Sequence, residues 1–178
     1  MRKIVYYVAM SLDGFIVGPE DDISGFIAVG EGVDRYLSDL KNFDTVIMGR
    51  KTYEFGYKFG LEPGQPAYPH MQHYIFSDSL KLPDQNPQVK VLSPDIDTIK
   101  NLKQGDGSDI YLCGGGIFAG WLLSNKMIDE LKIKLNPVVL GDGIPLFGSY
   151  RTSCRLNELE TQTYPGLHII HYEIQYSI

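Results

Sequence analysis

Short apolar runs recur along the chain, and each stops at Gly, Pro, Asp or Ser. That punctuation predicts strands over 3–10, 44–49, 72–77, 88–93, 109–113, 129–137, 154–164 and 167–176. Between them the period changes. In residues 31–41, EGVDRYLSDLK, the positions of Val33, Tyr36, Leu37 and Leu40 fall on one helical face. Residues 95–103 and 115–126 also read as helices, and 50–57 as a short one. Strands that alternate with helices imply βαβ units and an α/β fold with a mostly parallel sheet. The end of the chain differs. Tyr164-Pro165-Gly166 is a turn signal, so the last two strands form an antiparallel hairpin. Ligands of such sheets lie at the carboxyl ends of the strands, which makes the segments leaving the strands the ones to inspect.

Composition narrows the picture. A chain of 178 residues with 43% hydrophobic and 21% charged residues suits one globular domain spanning 1–178. Its net charge is 16 − 22 = −6, which argues against a general nucleic-acid binder. The apolar runs are too short to cross a bilayer. The opening MRKIVYYVAM runs into Ser11-Leu12-Asp13-Gly14 without a small-residue cleavage pattern, so it reads as a first strand, not a signal peptide. Cys113 and Cys154 make no CxxC motif, which points to a reducing cytosol and a cytoplasmic protein. His168 and His171 fall on opposite faces of a strand, and neither they nor His70 and His73 suggest a metal site.

Three segments carry candidate chemistry. In FDTVIMGRKTYE an apolar run leaves through Gly49 and meets Arg50, Lys51 and Thr52 at the start of a helix. Cations there oppose the helix dipole unless an anion joins them. The alternative is a solvated basic turn. In DIYLCGGGIFAGWLL, Gly114-Gly115-Gly116 links a strand to an apolar helix, with amides free for a pyrophosphate. It is neither GxGxxG nor a P-loop, and tight helix–strand packing is the competing reason for the glycines. In VAMSLDGFIVG a strand leads into a long irregular stretch reaching about Gly30, which reads as a functional lid or a disordered connection. Ser11, Ser77 and Ser124 sit in no nucleophile elbow.

These segments, with IDELKIKLNPVVLGDGIPLF at 128–147, occur in an order that resembles the dihydrofolate reductase superfamily. Within it the chain is most similar to stand-alone proteins related to the C-terminal reductase domain of the riboflavin-biosynthesis deaminase-reductase. The resemblance implies a dihydrofolate reductase-like fold, with helices on both faces of the sheet and a C-terminal antiparallel hairpin. It implies NADPH as cofactor. Gly49, Arg50, Lys51 and Thr52 would then hold its phosphates, with Arg50 nearest the 2′-phosphate. Ser77 would stand on the nucleotide side, and Gly115 and Gly116 would approach the pyrophosphate. The backbone at Val8 and Ala9, with Ile16, would face the nicotinamide.

The substrate side departs from the family. Folate reductases carry an acid on the helix before their VIMGR-like segment; here Asp34 and Glu31 are both candidates for that catalytic position. Where those enzymes have a threonine on the DELKIK strand this chain has Lys134, and Phe55-Gly56-Tyr57 replaces the acidic stretch of the riboflavin-pathway reductase. The expected function is therefore an NADPH-dependent reductase of a planar heterocycle, a pterin or an aminopyrimidine. A non-catalytic NADP(H)-binding protein is the alternative. The resemblance also implies a homodimer, for which the apolar residues of 167–176 and of the PVVLGDGIPLFG segment offer an interface.

Overall fold

The computed structural model describes residues 1–83 and 86–177. In chain order the strands are β1 (Ile4–Ser11), β2 (Phe15–Val17), β3 (Thr45–Gly49), β4 (Gln72–Phe76), β5 (Val89–Leu92), β6 (Ile110–Gly114), β7 (Glu130–Asn136), β8 (Ile144–Pro145), β9 (Arg155–Tyr164) and β10 (Leu167–Gln175). The α-helices are α1 (Glu31–Leu40), α2 (Arg50–Phe55), α3 (Ile96–Gln104) and α4 (Gly116–Ser124). Eight strands form one sheet in the order β5-β4-β3-β6-β1-β7-β10-β9, and β2 pairs with β8 in a small antiparallel sheet. From β5 to β7 all neighbours are parallel; only β10 and β9 run against their neighbours.

Strand alternation explains the layers. Ile4, Tyr6, Ile47, Ile110 and Leu112 point to one face and pack with Ile99 of α3 and with Phe118 and Leu122 of α4. Tyr7, Val46, Met48 and Tyr111 point to the other and pack with Leu40 of α1 and Tyr53 of α2. The central strands are apolar on both faces because helices cover both.

Two expectations need correction. The stretch after Ser11 is not wholly irregular, because Phe15–Val17 adds a strand against Ile144–Pro145. The apolar strand β10 is not an edge. It lies between β7 and β9, and Leu167, Ile169 and Ile174 are buried within the chain. The edge on that side is β9, whose exposed residues include the charged Arg155, Glu158 and Glu160 beside Leu156 and Leu159; charges on an edge discourage strand addition. Leu167, Ile169 and Ile174 are thus not available to an interface.

Strand β7 has a polar row on the face toward α1: Glu130, Lys132, Lys134 and Asn136. Such residues survive in a central strand only with partners. His171 and Lys3 reach the two oxygens of Glu130 at 2.7 and 2.6 Å and hold its carboxyl down at about 2. Lys132 Nζ donates to Asp39 at 2.6 Å. Asn136 Oδ1 accepts from the amide of Ile27 at 2.9 Å.

Candidate functional site

Parallel pairing brings the carboxyl ends of the central strands to one edge. Gly49 pairs with Phe76, Met48 with Gly114, and Ser11 with Asn136. The three segments singled out in the sequence therefore leave the sheet side by side.

Helices α2 and α4 both begin there without a side-chain cap; Gly49 and Gly115 occupy their N-cap positions. Their first amides are left for another acceptor. The two starts abut. A Cβ at Gly49 would stand 3.3 Å from Cβ of Phe118, and one at Gly115 would stand 3.0 Å from Oγ1 of Thr52. Only glycine keeps the second gap open. The left-handed backbone lies at Gly114, with φ of 129°, whereas Gly115 has φ of −91°. Gly116 is small for another reason: a Cβ there would collide with the carbonyl of Pro145.

Around this gap lie the expected phosphate residues. Arg50 makes a loose i,i+4 pair with Glu54, Nε to Oε2 at 3.9 Å, and both side chains are well exposed. A pair that long contributes little, so the guanidinium is available to an anion. Lys51 is exposed beside it. Ser77 follows β4 directly, but its Oγ accepts from the amides of Ser79 and Leu80 at 3.1 and 3.0 Å. It shapes a turn first, and only its hydroxyl proton remains for a ligand. An uncapped glycine cradle, a free arginine and a threonine hydroxyl together fit a dinucleotide phosphate.

On the α1 side of the sheet lies a cleft of about 320 Å³. Val8, Ala9 and Ile16, expected together at the nicotinamide, all line it. Ile23, Phe26, Ile27 and Ala28 of the long loop line it as well, as does Phe55 at the end of α2. Lys58 Nζ holds Asp21 of this loop at 2.9 Å, and Asn136 holds Ile27, so the loop is fastened at both flanks. The two ionisable side chains of the lining are Tyr36 and Lys134. Tyr36 shares a hydrogen bond with the Tyr111 hydroxyl at 2.8 Å, and burial pushes its phenol well up, so it is neutral.

Neither expected acid reaches the cleft. Asp34 and Glu31 are exposed on α1, and neither lines it. The reason is helical phase. Asp34 stands two residues before Tyr36, and Glu31 two before Val33, which is about 200° around the helix from side chains that face the sheet. The face is also turned from the one the sequence suggested: Leu37 is 52% exposed, and Asp39 is buried in its place. Asp39 does not line the cleft; it is tied to Lys132, Arg35 and Tyr7. Sequence reasoning missed Tyr36, Phe55 and Phe26 as lining residues, and treated Lys134 only as a departure. The alternation Glu-Leu-Lys-Ile-Lys-Leu-Asn carried a signal for Lys134, since a polar row in a central strand requires partners or a ligand.

Among the described residues no cluster of three His, Cys, Asp or Glu side chains could hold a metal, and no helix is long and apolar enough to cross a membrane.

The chain is similar to known proteins in sequence and in fold. The Bacillus subtilis protein YwjB, itself uncharacterised, is 33% identical over 177 residues, covering 96% of this chain and 97% of its own. The Thermotoga maritima diaminohydroxyphosphoribosylaminopyrimidine deaminase/5-amino-6-(5-phosphoribosylamino)uracil reductase superposes with a TM-score of 0.71 at 15% identity; 97% of this chain is matched, against 56% of that longer one. Dihydrofolate reductase from Enterococcus faecalis, solved with NADP(H), superposes with a TM-score of 0.63 at 16% identity over 98% of this chain and 95% of its own. At those identities the two structures share the fold: it is dihydrofolate reductase-like. Residues 2–168 match the model of the RibD C-terminal domain, and the chain belongs to that family.

Proposed function

We propose that the protein is an NADPH-dependent reductase acting on a planar heterocycle of the pterin or aminopyrimidine type. The observations that carry this reading are two uncapped helix starts that meet at the glycine gap, and a largely apolar cleft lined by Phe55, the last residue of the helix α2 that leaves that gap. When bound, NADPH supplies the hydride. Gly49, Arg50, Lys51 and Thr52, with Gly115, Gly116 and the hydroxyl of Ser77, hold its phosphates. Val8, Ala9 and Ile16 give its ring an apolar wall, and the long loop keeps water from the reacting carbon. The family supports this assignment, as do the Thermotoga reductase and the NADP(H)-bound folate reductase of the same fold.

Arg50→Ala tests the cofactor side. A guanidinium–phosphate contact is worth about 1.5–3 kcal/mol, so NADPH affinity should fall on the order of 10- to 100-fold while NADH affinity changes little. Equal losses for the two cofactors in titration calorimetry would remove Arg50 from the 2′-phosphate. Turnover is tested by NADPH oxidation against a panel of pterins and aminopyrimidines. Tight binding without oxidation of any of them would favour the second reading, a non-catalytic NADP(H)-binding protein. What favours that reading is that, among the described residues, no carboxylate lines the cleft.

The reading extends to a homodimer in the cytoplasm, where the free thiols of Cys113 and Cys154 are at home. The support for a dimer is the family resemblance together with the exposure of Leu156, Leu159 and Val139. Light scattering across a dilution series should give twice the 20.0 kDa of one chain. A mass near one chain at micromolar concentration would refute it.

A further inference from the structure

Of the polar row on β7, three members have settled partners and one does not. Lys134 is 8% exposed. Its Nζ reaches the carbonyl of Ile27 at 3.4 Å, longer than an ordinary hydrogen bond, and lies 5.2 Å from the centroid of the Tyr36 ring. Among the described residues no carboxylate pairs with it. Strand register sets Ala9 on one side of it and Ile169 on the other, both apolar. An ammonium carries three donors, and here a single long contact occupies one.

This is a costly place for a cation unless something joins it. Burial pulls the lysine below its ordinary proton affinity, as desolvation of a charge must. The neighbouring ionisable group of the lining, Tyr36, already shares a hydrogen bond with the Tyr111 hydroxyl. The cleft therefore offers hydrogen-bond donors and a positive charge between apolar walls, in a volume of about 320 Å³ that suits a small ring ligand. An oxygen on the ligand would meet the ammonium. A protonated amidine edge would meet a like charge and find no acid to receive it.

We propose that Lys134 is the specificity-determining residue of the cleft, and that it selects a planar heterocycle presenting an anionic or carbonyl oxygen over one presenting an amidine edge. The proposal rests on the reductase reading only in taking this cleft as the ring site. Its test is calorimetric and needs no turnover. Orotate and 2,4-diaminopyrimidine are titrated into the protein with and without NADPH. Orotate should bind on the order of 10-fold more tightly or better, as a charge-assisted bond to a buried ammonium requires. Lys134→Met should erase that preference, and Lys134→Arg should keep most of it, with circular dichroism confirming the fold of each.

Equal affinity of the wild-type protein for the two probes, or no binding of either, would overturn the proposal without any variant. So would a Lys134→Met protein that binds both more weakly at an unchanged ratio, because that is the result of merely loosening Ile27. Failure of NADPH to bind while the orotate preference persists would sink the reductase reading and leave this one standing.

Discussion

Asp39→Ala is expected to lower the free energy of unfolding by about 3–5 kcal/mol, the usual cost of removing one partner from a buried ion pair. The side chain of Asp39 is nearly buried. Its Oδ2 accepts from Lys132 Nζ at 2.6 Å and from the Tyr7 hydroxyl at 3.1 Å, and its Oδ1 accepts from Arg35 Nε at 2.7 Å. Truncation leaves Lys132 buried over the Tyr7 ring, 4.8 Å from its centroid, with no carboxylate. Burial alone would raise the carboxyl's pKa, but Lys132 and Arg35 together overcome it and hold the pKa below the ordinary value. A carboxylate with a lowered folded-state pKa contributes stability above its unfolded pKa of about 3.9, and that contribution is lost as pH falls through the folded value. The deficit of the variant should therefore be full at neutral pH and shrink in acid. Urea denaturation at a series of pH values measures both. A neutral-pH deficit below about 1 kcal/mol, the size of a surface pair, would sink the assignment. The double change Asp39→Leu, Lys132→Met should recover much of the loss, since it leaves no charge unpaired.

The largest functional effect is expected from Gly115→Val: NADPH affinity should fall by about 100-fold or more while the protein stays folded. Gly115 sits at φ −91° and ψ −164°, extended backbone, so φ and ψ of that residue do not by themselves demand glycine. The first atom the new side chain meets is Thr52 Oγ1, at the end of a small side chain. Its branched methyls would fill the gap between the two helix starts and bar the close approach of a phosphate to their amides. The glycines further along α4 should behave otherwise. A Cβ at Gly120 collides with the carbonyl of Phe147 and stands 2.6 Å from Cδ2 of Tyr150, so Gly120→Val should destabilise the fold itself. Fluorescence titration with NADPH, beside thermal melts followed by circular dichroism, separates the two classes. Undiminished NADPH binding by the folded Gly115 variant would place the pyrophosphate elsewhere.

Much of this molecule follows from local pattern. Apolar runs over 3–10, 44–49 and 109–113 separated by helical periods implied βαβ units and a mostly parallel sheet, and the structure covers both faces of that sheet with helices. The glycine punctuation after β3 and β6 marked the two uncapped helix starts, because chain reversal and backbone exposure are properties of a few consecutive residues. Strand order is not local. That β10 lies inside the sheet and β9 at its edge depends on pairing between segments more than 30 residues apart, and the apolar character of β10 reported its burial without naming its partner. Helical phase was the other decision left to the tertiary structure. Each residue turns a helix by about 100°, so a face judged from Val33, Tyr36, Leu37 and Leu40 did not settle its own margin, where the structure exposes Leu37 and buries Asp39. Lys134 combined both kinds of information. Alternation in β7 put it on a polar row, but only the packing of α1, the long loop and β10 around that row left one ammonium facing an apolar cleft, because whether a buried charge is paired depends on groups brought together from distant parts of the chain.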